Sequence, residues 1–183
     1  MNSAALTFPK GGVHPPYSKK LTSDSPIEEL PSPSSLEIIL GQHIGVPCEP
    51  LVKKHGKVQQ GDLIGQVDNG LGVPVHAPLN GSIANVGVSS HPLRVSSPSV
   101  TIRATKEPEP VDYSPVDWSE FTRDELKTKV HAAGVIGVGG AGFPTYAKLS
   151  PPPDVKIDTL ILNGAECEPC IELAQRVEIQ EAG

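Results

Sequence analysis

Residues that interrupt regular structure recur along the whole chain. Among 183 residues there are 18 glycines and 20 prolines, against ordinary shares of roughly 7% and 5%. Proline fixes φ, lacks an N–H donor and biases its predecessor away from helix. Glycine opens backbone conformations that side chains forbid. A chain so often interrupted cannot build a helical bundle or a coiled coil. It is confined to short strands, turns and loops.

The interruptions also divide the chain. Residues 1–35 hold Gly11-Gly12-Val13-His14-Pro15-Pro16, Ser23-Asp24-Ser25-Pro26 and Pro31-Ser32-Pro33. They predict an extended, irregular arm, and their composition also suits a partly disordered tail. Residues 36–105 carry short β-prone runs: Leu36-Glu37-Ile38-Ile39-Leu40, Leu63-Ile64-Gly65-Gln66-Val67, Gly72-Val73-Pro74-Val75-His76, Ser82-Ile83-Ala84-Asn85-Val86 and Val100-Thr101-Ile102-Arg103-Ala104. Turn signals about every ten residues predict a small barrel or sandwich. Residues 56–65 and 75–83 read as hairpin-forming pieces, with Gly61 and Gly81 at turns that need positive φ.

Residues 106–115 begin Lys106-Glu107-Pro108-Glu109-Pro110-Val111, a composition that predicts an extended linker. In residues 116–183 the period changes. Residues 119–130 fit a short amphipathic helix with Ser119 or Thr122 as N-cap, and Thr122-x-x-Glu125 matches a capping box. A glycine-rich loop, a proline run at 151–153, a strand at 159–162 and a helix over 170–183 complete the reading. That order is the start of an α/β domain. One strand cannot make a sheet, so either it pairs elsewhere or the chain is part of a longer protein.

Several classes drop out. No run of about 18 apolar residues exists to span a membrane. The start, Met1-Asn2-Ser3-Ala4-Ala5-Leu6, lacks the basic residues and apolar run of a secretory signal. A net charge of −6 gives no general attraction to nucleic acid. Three unevenly placed cysteines do not make a disulfide framework, which fits a reducing cytosolic setting.

Two segments carry chemistry. In Gly137-Val138-Gly139-Gly140-Ala141-Gly142-Phe143-Pro144-Thr145, four glycines let the backbone approach a ligand and turn N–H groups toward an anion. Phosphate is the usual anion, and Lys148 is near enough in sequence to add positive charge. The spacing is neither the dinucleotide fingerprint nor the P-loop, and a merely flexible loop has the same composition. Asn163-Gly164-Ala165-Glu166-Cys167-Glu168-Pro169 follows the expected strand, where α/β sheets bind ligands. Two carboxylates and an amide there suit the hydroxyls of a ribose or ribityl chain, though a polar strand-to-helix turn looks the same. Cys167-Glu168-Pro169-Cys170 is a C-x-x-C without the second pair that a metal centre needs. The six histidines show no metal spacing; His43 and His76 are read as structural.

Together these segments resemble the flavin-binding fold of respiratory NADH dehydrogenase flavoprotein subunits and, more closely, the C subunit of the Rnf electron-transport complex. Gly11-Gly12-Val13-His14-Pro15-Pro16, Pro26-Ile27-Glu28-Glu29-Leu30-Pro31, Gln42-His43-Ile44-Gly45 and Pro74-Val75-His76-Ala77-Pro78-Leu79-Asn80-Gly81 resemble C-subunit segments in the same order, up to about Pro169.

The resemblance implies an α+β, mixed architecture: a barrel-sandwich hybrid of biotinyl/lipoyl type over 36–105, then the start of an α/β FMN- and NADH-binding domain over 116–183. It implies that Gly137, Gly139, Gly140 and Gly142 form the loop under FMN, with Lys148 near its phosphate or ribityl chain. Phe143 would pack toward the adenine side, and Asn163, Glu166 and Glu168 would line the flavin and nicotinamide pocket. No side-chain acid or base is expected. Lipoylated relatives carry a lysine that residues 68–73 lack, so no swinging arm is expected, and Lys53, Lys54 and Lys57 read as solvated charges. Val138 stands where the dehydrogenase flavoproteins have arginine. The [4Fe–4S] clusters of the Rnf protein belong to a later part, so a truncated, split or degenerate C subunit is expected. The implied role is electron transfer from NADH through FMN to iron–sulfur centres. It would be performed peripherally on the cytoplasmic face of the membrane, with the other Rnf subunits as partners and ion translocation as the coupled work. A soluble Rnf-C-like reductase of a cobalamin or proline reductase system, and a non-catalytic docking module, are the alternatives.

Overall fold

A computed structural model describes residues 30–105, 115–138, 142–152 and 154–159, with Lys20, Ser25, Pro26, Glu28 and Ile161. The chain divides into two compact units, Pro31–Asp158 and a second made of Met1–Leu30 with Thr159–Gly183. In the second unit the few described residues take part in no strand. Most of the arm expected at 1–35, residues 106–114 of the linker and the helix expected at 170–183 lie outside the described residues. Of the strand expected at 159–162, Thr159 and Ile161 are described and neither lies in a strand, while the other two residues lie outside.

The Pro31–Asp158 unit opens with a β domain of two antiparallel sheets. The first contains β1 (Ser35–Ile39), β7 (Arg94–Ala104), β6 (Gly81–His91) and β3 (Lys57–Val58), in that order. The second orders β2 (Glu49–Pro50), β4 (Leu63–Gln66) and β5 (Val75–His76). Period-two alternation decides which side chains face the core. In β1, Leu36 pairs with Ile102 and Ile38 with Val100. Their apolar faces meet Leu40, Cys48, Val58, Ile64, Val75, Ala77 and Ile83, all buried. Full burial of each large aliphatic side chain is worth about 1.5–3 kcal/mol. Because aromatics are only 4% of the chain, this aliphatic cluster holds the two sheets together.

The two expected hairpins are corrected. β3 pairs with β6 while β4 pairs with β2 and β5, so residues 56–65 cross from one sheet to the other. Residues 75–83 cross back in the same way. The turn at Gly61 does have positive φ, +90°, and its amide donates to Ala77 O at 2.9 Å. Gly81 lies inside β6 and has no positive φ. Glycine is needed there because a Cβ would stand 2.3 Å from Arg103 O. The run at 72–76 shortens to Val75–His76: Pro74 has no N–H, and the Val73 N–H donates to the His43 ring at 3.3 Å. β6 and β7 run well past their expected ends to form one long hairpin. Pro98 is tolerated within β7 because its carbonyl accepts from Leu40 N at 2.8 Å.

Beyond the linker the chain forms a 3-10 turn (Trp118–Glu120), α1 (Arg123–Ala132), a two-stranded hairpin of β8 (Ile136–Gly137) and β9 (Phe143–Pro144), and α2 (Thr145–Lys148). Ser119 belongs to the 3-10 turn, whose cap is Asp117. Thr122 caps α1 with the full capping box.

Candidate functional site

The site begins at the end of α1. The Gly134 amide donates to His131 O at 2.9 Å and Val135 N to Val130 O at 3.4 Å, with Gly134 at φ +70°. This is a Schellman stop, in which a left-handed glycine satisfies the last helical carbonyls. It turns the chain directly into β8. The hairpin then closes on itself: Ile136 pairs with Pro144 and Gly137 with Phe143, and Gly142 N donates to Gly137 O at 3.0 Å. The glycine-rich segment is therefore the tip of a tight antiparallel hairpin, a form that the sequence reading, which saw only a loop, did not anticipate.

Four of the expected site residues come together here. α2 starts straight after β9 and is one turn long, so Lys148 returns over the hairpin. A Cβ on Gly137 would stand 2.8 Å from Lys148 Nζ, so the lysine shelters against bare glycine backbone. The same Nζ lies 5.8 Å from the Phe143 ring centroid. No carboxylate among the described residues forms an ion pair with it; the ion pair on the neighbouring helix α1 joins Lys127 to Asp124 at 2.9 Å. Gly142, at φ +64°, completes the hairpin. A ring contact steadies the cluster from behind, with His131 and Tyr146 edge to face at 4.6 Å between centroids. Gly139, Gly140, Asn163, Glu166 and Glu168 lie outside the described residues, as do Cys167 and Cys170.

Such an arrangement suits an anion. An ammonium with no carboxylate partner among the described residues stands beside backbone that carries no side chain, and glycines at the tip let N–H groups turn outward. The acidic chain as a whole would repel an anion; the local lysine and glycine backbone reverse that.

The sequence reading missed the β domain's part in this site. Ile44 N donates to Gly142 O at 3.1 Å. A Cβ on Gly142 would stand 3.0 Å from Gln42 O and 3.1 Å from His43 Cα. The helix end docks equally closely, since a Cβ on Gly134 would stand 2.6 Å from Pro74 O. The available signal was Gln42-His43-Ile44-Gly45, which stood out only as a likeness to a family. Beside the hairpin a cleft of ≈ 620 Å³ is bordered by Ile44, Leu93, Arg94, Val138 and Gly142. Arg94 there donates to Gly45 O at 2.8 Å.

Fold and site together define a barrel-sandwich hybrid joined to the glycine hairpin of a flavin-binding domain. Comparison with known families agrees on both halves. Residues 6–107 match the RnfC barrel sandwich hybrid domain, and residues 130–182 match the Nuo51 FMN-binding domain. The chain belongs to the RnfC family. It is 38% identical over 175 residues to the C subunit of the proton-translocating ferredoxin:NAD(+) oxidoreductase complex of Clostridium ljungdahlii, covering 94% of this chain and 38% of that protein. It is 40% identical over 173 residues to the Na(+)-translocating counterpart of Acetobacterium woodii, covering 92% and 38%. The C subunit of the ion-translocating oxidoreductase complex of Rhodobacter capsulatus is 37% identical over 176 residues, covering 94% and 34%. The chain thus spans less than two fifths of the length of these relatives. No helix among the described residues is long and apolar enough to cross a membrane.

Proposed function

We propose that this chain supplies the electron-entry end of an Rnf-type complex, binding FMN through the 137–142 hairpin and presenting it to NADH. The observation that carries the reading is the cluster of Lys148 Nζ against Gly137 and Gly142, inside the segment that matches an FMN-binding domain. The residues fit the group: a phosphate needs a cation and close backbone approach, and both are in place. Bound FMN would supply hydride acceptance and release of single electrons. Lys148 would neutralise the phosphate, and the glycine backbone would hold it without steric clash. Phe143 would border the pocket, and Gly139, Gly140, Asn163, Glu166 and Glu168 would complete it. The protein's part is then to position cofactor and nucleotide rather than to move protons through a side chain.

In this reading the β domain at 36–105 is a separate folding module, residues 106–115 are its tether, and 116–183 carries the flavin site. The names of the relatives place them in ion-translocating ferredoxin:NAD(+) oxidoreductase complexes. By extension, this chain works peripherally on the cytoplasmic face, with iron–sulfur centres elsewhere in the assembly accepting its electrons. The test is anaerobic addition of NADH to the FMN-loaded chain. Bleaching of the visible flavin band is expected. Bound flavin that NADH leaves coloured would contradict electron entry and favour a docking role.

A further inference from the structure

We infer that His43 is a positioning residue: a brace of the β domain, running from Val73 through His43 to Ile44, sets the shape of the glycine hairpin.

The brace can be followed bond by bond. His43 is 5% exposed. Its Nε2 accepts the Val73 N–H at 3.3 Å and lies 3.0 Å from Val73 O, while its Nδ1 lies 3.1 Å from Ile44 O. Cys48 Sγ donates to the same Val73 O at 3.1 Å. The ring is thus held at both ends, and a buried ring held at both ends has one orientation. It leaves no room around it: a Cβ on Gly72 would stand 2.7 Å from His43 Cε1. The peptide that follows is fixed in turn, and its N–H is the donor to Gly142 O at 3.1 Å. Gly142 then donates its own amide to Gly137 O. Gly142 sits so close to His43 Cα that any shift of the 42–44 backbone must move the hairpin.

A bland account is that His43 merely fills the core. Core filling predicts that variants of equal destabilising effect disturb the hairpin equally. The brace predicts that they do not, because Cys48 shares the Val73 carbonyl and the core but not the peptide that bonds Gly142.

The consequence for flavin rests on the proposed FMN reading, whereas the brace itself is read without flavin. Amide exchange in the full 183-residue chain is followed by mass spectrometry over residues 136–145, beside thermal unfolding of the β domain. His43→Ala is expected to speed exchange of that segment at least tenfold at temperatures well below unfolding. Cys48→Ala should lower the unfolding temperature and leave that segment's exchange unchanged. In an FMN titration, His43→Ala should weaken binding at least fivefold and shift the bound flavin spectrum, and Cys48→Ala should do neither. If His43→Ala does not fold, Ile44→Pro, which deletes the N–H donor to Gly142, decides by the same exchange readout. Unchanged exchange in the folded variant, or an equal effect of Cys48→Ala, overturns the brace. A wild-type chain that ignores FMN while the exchange contrast holds overturns the flavin reading alone.

Discussion

Cys48 shows how little chemistry a cysteine keeps once it is packed. It is fully buried, and burial, with a smaller contribution from the neighbouring Glu49 carboxylate, pushes its thiol up to about 11. The thiolate is the reactive form, so Cys48 should resist alkylation at pH 8 in the native chain and react when denaturant is added; mass spectrometry of the labelled peptide checks this. The raised value also fixes a sign. A thiol that holds its proton more tightly when folded contributes stability that is fully present below its unfolded value and lost as pH rises from about 9 toward 11. Unfolding free energy should therefore fall over that range in the wild type and fall less in Cys48→Ala. Two glycines give a second contrast. Gly61 has φ +90° with open space around it, and Gly142 has φ +64° against Gln42 and His43. Alanine at Gly61 should cost only the left-handed penalty, about 1–2 kcal/mol, and leave FMN binding alone. Alanine at Gly142 adds a backbone clash, so FMN binding should fall more than tenfold. Denaturant unfolding and flavin titration separate the two.

Among the elements, α1 shows most plainly what a local signal can specify. The Thr122 hydroxyl and the Glu125 carboxylate satisfy each other's backbone donors, and both residues were legible as a capping box. Thr122→Ala should cost the helix about 1 kcal/mol, measured as faster amide exchange across Arg123–Ala132. Hydrogen bonds from the Thr122 N–H and hydroxyl hold the Glu125 carboxyl below its ordinary value. That contribution is present above the ordinary carboxylate range and fades as pH falls through it, so the Thr122 amide resonance should follow a Glu125 titration displaced to low pH. The strands were less legible. Alternation marked β1 and the apolar ends of β6 and β7, but Ser89, Ser90, Ser96, Ser97 and Pro98 carry no apolar period, so the long hairpin tip read as loop. Nor could turn residues reveal that residues 56–65 and 75–83 link different sheets. That choice follows from which apolar face closes over the core, a non-local matter. The glycine segment announced an anion site, yet its hairpin form depends on backbone bonds that any residue could make.

At the scale of the whole molecule, a small aliphatic core and a braced hairpin have separable roles. Ile83→Ala, at a side chain 1% exposed, should cost about 2–5 kcal/mol. That is much of the roughly 5–15 kcal/mol that holds an ordinary domain folded. Calorimetry should show the loss in the β-domain transition. The family match made the two-part architecture secure, while the flavin role rests on Lys148 and the hairpin glycines. The most direct test is a fluorescence titration of FMN with the 183-residue chain, wild type beside Lys148→Ala. Saturable quenching by the wild type, weakened at least tenfold without the lysine, is the expected result. No saturable binding by the wild type, or equal binding by both, would contradict the account.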